Sequence, residues 1–187
     1  MQSMMEKLVI TSPTNSKIAQ GKNLTGIPRI LRDMAVDVHN NIQQWNNLHL
    51  RGLSILKTIC YLKSAEVYTQ DVQGQCDKLE EICSSLDQII QSLSQINDQV
   101  KNISALHRLP DKLFKSWPIS SFSNVTEIIH KAFNNEAKVK REIYENIAHY
   151  SSESTKMLHL AAWVHQPFLP YNLSIILESL LIETGHR

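Results

Sequence analysis

The chain has 187 residues, a formal net charge of +1 and 42% hydrophobic residues. That length allows one domain or one domain with an appendage, and the near-neutral charge excludes the broad basic field of a nucleic-acid-binding surface. Five glycines and six prolines favour long uninterrupted helices over a β-rich fold, and no run approaches the ~18 apolar residues of a membrane span.

Residues 1–27 carry Thr11, Ser12, Pro13, Thr14, Asn15 and Ser16, then Gly21 and Gly26, with no sustained apolar period. The expectation is a flexible tail. Ser12-Pro13 is a minimal proline-directed phosphorylation site without a basic residue shortly after it, and is more simply read as an ordinary loop dipeptide. Leu8, Val9 and Ile10 are too short a run for a signal-peptide core.

Pro28 suits the first turn of a helix, where its missing N–H is not needed. From there to about Val67, Leu31, Val38, Trp45 and Ile59 fall on one seven-residue series and Met34, Leu48, Ile55 and Leu62 on an interleaved one. This 3-4 alternation predicts a long coiled-coil helix. Asn41 and Gly52 interrupt it: a buried Asn fixes register, and Gly52 permits another backbone to come close. Ile42 and Leu56 make the stripe wider than a two-stranded seam, so a further packing partner is expected, either this chain's own C-terminal part or another protein.

Tyr68-Thr69-Gln70-Asp71 reads as a short connector, and a second helix follows to about His107. Val72, Leu79, Leu86, Leu93 and Val100 form its first series, and Ile82, Ile89, Ile96 and Ile103 its second. Two helices of 35–40 residues joined by a short link predict an antiparallel hairpin, residues 28–108. Cys76, Cys83 and Ile90 flank the stripe, and thiols there read as small packing groups. With Cys60 they make an odd number without metal spacing, as expected of reduced thiols in an intracellular protein.

Pro110 closes the hairpin, and residues 109–123 form an aromatic Trp-Pro linker containing Phe114, Trp117, Pro118 and Phe122. These aromatics either cover the end of the hairpin or dock a partner. Residues 124–187 read as about three shorter helices. Asn124 with Glu127 suggests a capping-box start for the first, whose Lys138, Lys140 and Arg141 read as a solvated face. The second spans roughly Ser154 to His165 and is stopped by Pro167; the third starts near Asn172 and ends before Gly185. The fold expected is therefore all-α: a long antiparallel coiled-coil hairpin followed by a short C-terminal helical segment.

No constellation for catalysis is visible. The glycines are isolated, the eight histidines include no pair at helical ligand spacing, and no Ser or Cys stands in a nucleophile motif. No cofactor or metal is expected, and the chain is expected not to be an enzyme. Arg29-Ile30-Leu31 and Arg51-Gly52-Leu53 match a cyclin-docking Arg-X-Leu, but each Leu lies on or near the apolar stripe.

Three stretches together carry a resemblance. The first runs from Asp33 to Leu48 and closes at Gly52; the second runs from Leu113-Phe114 through Trp117-Pro118 to Phe122. The third is Trp163-Val164-His165-Gln166-Pro167-Phe168, followed by Leu177 through Leu181-Ile182-Glu183-Thr184-Gly185-His186-Arg187. From about Asp33 onward the chain resembles the cyclin-dependent kinase 2-interacting protein family; residues 1–27 show no match.

The resemblance implies a non-enzymatic, mostly nuclear adaptor with a cytoplasmic pool, linked to cyclin-dependent kinase/cyclin complexes, replication origins and checkpoint signalling. It also implies a subunit beside a second small helical protein on AAA+ ATPases of the spermatogenesis-associated protein 5 type, acting in ribosome maturation and DNA replication. Direct contact with nucleic acid or membrane is not expected. The ATPase reading is the leading expectation, because a wide stripe wants a helical partner. Candidate partner-binding residues are Trp117, Pro118, Phe122, Trp163, His165, Gln166, Pro167 and Phe168, with Leu86, Leu93, Ile96 and Val100 on the hairpin. The Trp163–Phe168 stretch reads either as a fixed corner between helices or as a docking knob. Glu183 and Arg187, four apart, could pair.

Overall fold

The structure, a computed structural model, describes residues 26–64, 70–106, 114–149 and 152–187. Residues 1–25 of the expected tail 1–27, the connector around Tyr68-Thr69, Pro110 and Leu113 lie outside the described residues, whereas Ile27 is already helical. Every regular element among those described is a helix: α1 Ile27–Ser64, α2 Gln70–Leu106, α3 Ile119–Ile147, α4 Glu153–His165 and α5 Leu173–Glu183. The all-α expectation holds, and α1 and α2 form the antiparallel hairpin.

The two long helices have 38 and 37 residues, so each extends roughly 55 Å at 1.5 Å per residue. Leu31, Val38, Trp45 and Ile59 face Val72, Leu79, Leu86, Leu93 and Val100 in one buried cluster. The interleaved residues Met34, Leu48, Ile55 and Leu62 are only partly buried, which shows where the seam turns toward solvent. On its other side, Ile42 and Leu56 are fully covered.

Their cover is the chain's own C-terminal part. α3 packs along α2 about as extensively as α1 does, and α4 and α5 close the ring between α3 and α1. The result is an up-down-up-down four-helix bundle whose fourth helix is broken in two. Short links and alternating directions are the usual route to such a bundle, with the core made by one apolar stripe from each helix. The C-terminal helices are thus the other half of the core rather than an appendage to a rod.

Several local expectations need correction. α3 begins at Ile119, directly after Pro118, and not at Asn124, which lies exposed within the helix. Pro118 holds φ −71° at the N-cap, and starting one turn early buries Ile119 and Phe122. Phe122 is therefore helical, not part of an irregular linker. At the other end the reading of Gly185 holds. It takes φ +76°, Gly185 donates to the Ile182 carbonyl at 3.2 Å, and His186 donates to the Leu181 carbonyl at 2.9 Å. This is the Schellman arrangement that ends a helix on glycine.

If the hairpin stripe is interior, Leu86→Ala should lower unfolding free energy by about 2–5 kcal/mol. Leu106→Ala, at a side chain 82% exposed, should stay within about 0.5 kcal/mol. Urea denaturation compares the two, and equal effects would place the stripe outside the core.

Candidate interaction site at the broken fourth helix

Gly52 sits in the middle of α1, and a Cβ there would lie 2.3 Å from Cζ2 of Trp163. An indole ring, rather than a second backbone, occupies the space that the missing side chain leaves. Trp163 is fully buried on α4, and its Nε1–H donates to the His49 carbonyl at 3.1 Å. Its ring also lies nearly parallel to that of His49, 6.5 Å between centroids. Gly in a helix interior costs about 1 kcal/mol relative to Ala; here that cost is offset by burying an entire indole, one of the largest apolar contributions a side chain makes.

Lys140 is buried beneath the same ring, with Nζ 4.2 Å from the Trp163 centroid. Nζ donates to the Trp163 carbonyl at 3.3 Å, lies 3.1 Å from Nδ1 of His49 and pairs with Glu136 Oε1 at 3.5 Å. The carbonyl of Trp163 belongs to the last turn of α4, where helix carbonyls lack an internal partner and the dipole is negative. Lys140 therefore caps α4 from α3. Its placement overturns the solvated face expected for Lys138, Lys140 and Arg141: only Lys138 is exposed, and Arg141 is half-buried and pairs with Asp87 of α2.

Burial disfavours the charged form of Lys140 and pulls its pKa from 10.5 to about 8, with Glu136 acting in the opposite sense. Burial, reinforced by the nearby Lys140 charge, lowers the His49 pKa from 6.5 to about 4. Burial raises the Glu136 carboxyl, partly offset by Lys140 and by the Phe168 N–H, which donates to Oε2 at 3.1 Å.

The corner itself follows from this anchoring. Gln166 caps α4 in the left-handed region at φ 45°, which a non-glycine residue rarely adopts. Its Oε1 accepts the Nε1–H of fully buried Trp45 at 2.8 Å, which explains why glutamine rather than glycine stands there. Trp45 in turn meets Phe133 edge-on at 4.9 Å. Trp163 and Gln166 thus fix the corner. His165, Pro167 and Phe168 project from it, Phe168 being 51% exposed.

The remaining candidate residues divide in the same way. Phe122 is buried, and Phe114 and half-buried Trp117 pack on it at 5.6 and 5.3 Å between centroids. The aromatic segment covers the end of the bundle. Glu183 secures it: Oε1 accepts the N–H groups of Ser116 and Trp117 at 2.5 and 2.7 Å, and Oε2 accepts the Ser116 hydroxyl at 2.8 Å. Burial raises the Glu183 carboxyl, but these donors outweigh it and hold it below the usual range. Glu183 is therefore not the partner of Arg187, which pairs with Glu178 instead. Leu86, Leu93, Ile96 and Val100 are buried inside the bundle. So are Leu31 and Leu53 of the two Arg-X-Leu triplets, with α1 holding them inward.

The thiols behave as packing groups. Cys83 is buried and donates to the Lys140 carbonyl at 3.7 Å, and burial pushes its pKa up to about 11. On the outer side of the hairpin, a groove of about 710 Å³ runs between α1 and α2, lined by Asn40, Asn41, Gln44, Gln88, Ser92 and Gln95 among others. Asn41, half-buried rather than buried as expected, reaches across it to the Ser92 hydroxyl at 3.1 Å. Among the described residues, no three His, Cys, Asp or Glu side chains gather as metal ligands.

Fold and site together define an all-α four-helix bundle that presents a rigid aromatic corner and closes its own core. No family model matches the chain. Curated relatives named cyclin-dependent kinase 2-interacting protein do, in cattle at 25% and in mouse at 26% identity, each over 85% of this chain and 90% of the relative. A frog protein of the same name is 35% identical over 74 residues, 40% of this chain and 36% of its own length. The resemblance to that family holds.

The His49 shift has a measurable consequence. The unfolded chain takes up a proton near pH 6.5 that the folded chain refuses until about pH 4. Stability should accordingly fall across that window as pH drops, by at most on the order of 3 kcal/mol, and stay flat in this respect above it. Chemical denaturation of wild type and His49→Gln at pH 7, 5.5 and 4.5 should show a shallower acid dependence in the variant. Parallel profiles would mean His49 titrates normally.

Proposed function

We propose that this chain is a non-enzymatic helical adaptor that binds cyclin-dependent kinase/cyclin complexes in replication and checkpoint signalling, chiefly in the nucleus with a cytoplasmic pool. The observation that carries the reading is the likeness, over 85% of the chain and about 90% of their length, to proteins whose name states interaction with cyclin-dependent kinase 2. The corner supplies a suitable contact. Phe168 and Pro167 stand out from a backbone fixed on both sides by buried groups, so docking them orders little new structure. An exposed aromatic on a rigid support is the kind of residue that dominates interface energetics.

A second reading is an adaptor subunit of an AAA+ ATPase of the spermatogenesis-associated protein 5 type, paired with a second small helical subunit in ribosome maturation. The wide stripe no longer supports it, since α3, α4 and α5 cover that stripe. What favours it is the outer groove. Ser85, Ser92 and Gln99 follow one another at seven-residue spacing, as do Gln88 and Gln95, along the length a further helix would occupy.

Binding of purified kinase–cyclin complex to the full chain, read by interferometry, tests the proposal. Phe168→Asp should weaken it at least about ten-fold, while Tyr61→Asp, at a site 80% exposed on α1, should leave it unchanged. No binding by the unsubstituted chain would overturn the kinase reading. Capture of the ATPase from extract, lost in a Gln88→Lys, Gln95→Lys variant, would then establish the second.

A further inference from the structure

Two charged side chains stand in the core where apolar ones of similar volume would fill the space. Lys140 and Glu136, one turn apart on α3, are both fully buried, with Nζ and Oε1 3.5 Å apart. That is longer than the ~2.7–2.9 Å of a strong charge-assisted hydrogen bond. Burial draws Lys140 down to about 8 and raises the Glu136 carboxyl, so each group is pushed toward its neutral form. A buried ion pair under such conditions adds little stability over well-packed apolar groups.

What the two groups hold is the elbow. Lys140 Nζ donates to the Trp163 carbonyl at 3.3 Å, and Glu136 Oε2 accepts the Phe168 N–H at 3.1 Å. One turn of α3 therefore grips the chain on either side of Gln166, whose φ of 45° a non-glycine residue keeps only when its surroundings impose it. The Leu169 N–H bonds within the elbow, to the Gln166 carbonyl at 3.0 Å, and Pro167 has no N–H to give. The Phe168 N–H instead crosses to α3, while its ring stays 51% exposed. A carboxylate is a stronger acceptor for that N–H than a neutral group. Lys140 supplies the positive charge that favours the ionised form of Glu136 there.

We propose that Lys140 and Glu136 are positioning residues, which hold the Phe168 corner in one orientation rather than hold the bundle together. What the corner docks on rests on the kinase–cyclin reading above; that the pair fixes its orientation is a property of the chain alone.

The test compares two double variants of the full chain. Lys140→Met with Glu136→Leu removes both charges and the acceptor. Lys140→Met with Glu136→Gln removes the charges but keeps an oxygen for the Phe168 N–H. Urea denaturation reads the bundle, and amide hydrogen exchange of Phe168 at pH 7 reads the corner, with the amide of buried Leu93 as reference. The first variant should keep or raise the denaturation midpoint. Its Phe168 amide should exchange at least about ten-fold faster, with Leu93 no faster than before. The second should recover most of that protection. Binding of purified kinase–cyclin complex should follow the same order, weakened at least about five-fold in the first variant and restored in the second. A first variant that fails to fold, or whose midpoint falls, would show that the pair holds the bundle. Unchanged Phe168 exchange would show that other contacts fix the corner. Either result overturns the proposal. Exchange as predicted, with no kinase binding by any form, would support the positioning role and overturn the kinase reading alone.

Discussion

The placement of one indole against one glycine governs how the C-terminal half joins the hairpin. Trp163 enters α1 at Gly52, closer than any side chain at that position would permit, and donates its N–H to the His49 carbonyl. A coiled-coil pair needs no such notch. A fourth helix made of two pieces does, because neither α4, with 13 residues, nor α5, with 11, would hold as a helix alone. Once the indole is seated, the rest follows: Lys140 has a ring to lie under and a carbonyl to cap, Gln166 is positioned to accept from Trp45, and the elbow N–H reaches Glu136.

A second theme is that charged residues of one helix serve the ends of another. Lys63 near the end of α1 donates to the carbonyls of Ile147 and Ala148 at the end of α3, at 3.0 and 2.5 Å. Lys140 does the same for α4, and Glu183 of α5 accepts the N–H groups leading into α3. Unpaired backbone groups and helix dipoles make these ends natural counterparts for charge. Lys63 and Glu183 act where helix ends meet at the ends of the bundle, and Lys140 acts where the break in the fourth helix leaves the end of α4 beside α3, so such pairings join residues distant in sequence.

This explains what could be read from the sequence and what could not. The hairpin was legible because Leu79, Leu86 and Leu93 repeat every seven residues, and the end of α5 because Gly185 is the natural stop. The width contributed by Ile42 and Leu56 signalled a further packing partner, and α3, α4 and α5 fill that place. Lys140 was not legible. On α3 alone it sits among other basic residues, and only the arrival of α4 turns its position into interior. The pairing of Glu183 with Ser116 and Trp117 was hidden for the same reason, since Arg187 four residues on offered a local alternative. The Trp163–Phe168 stretch reads as a corner or a docking knob; the structure shows the fixed corner, with Trp163 and Gln166 locking it and Pro167 and Phe168 facing solvent.

A double-substitution cycle at Gly52 and Trp163 tests the central claim most directly. In the natural background Gly52→Ala should destabilise by about 1–3 kcal/mol, even though alanine is the better helix former. With Trp163→Leu, which removes the ring atoms facing Gly52, the same change should become neutral or stabilising by up to about 1 kcal/mol. The sign of the coupling, measured by chemical denaturation, is the result to look for. An equal cost in both backgrounds would contradict the account, because it would mean that the indole does not occupy the space at Gly52.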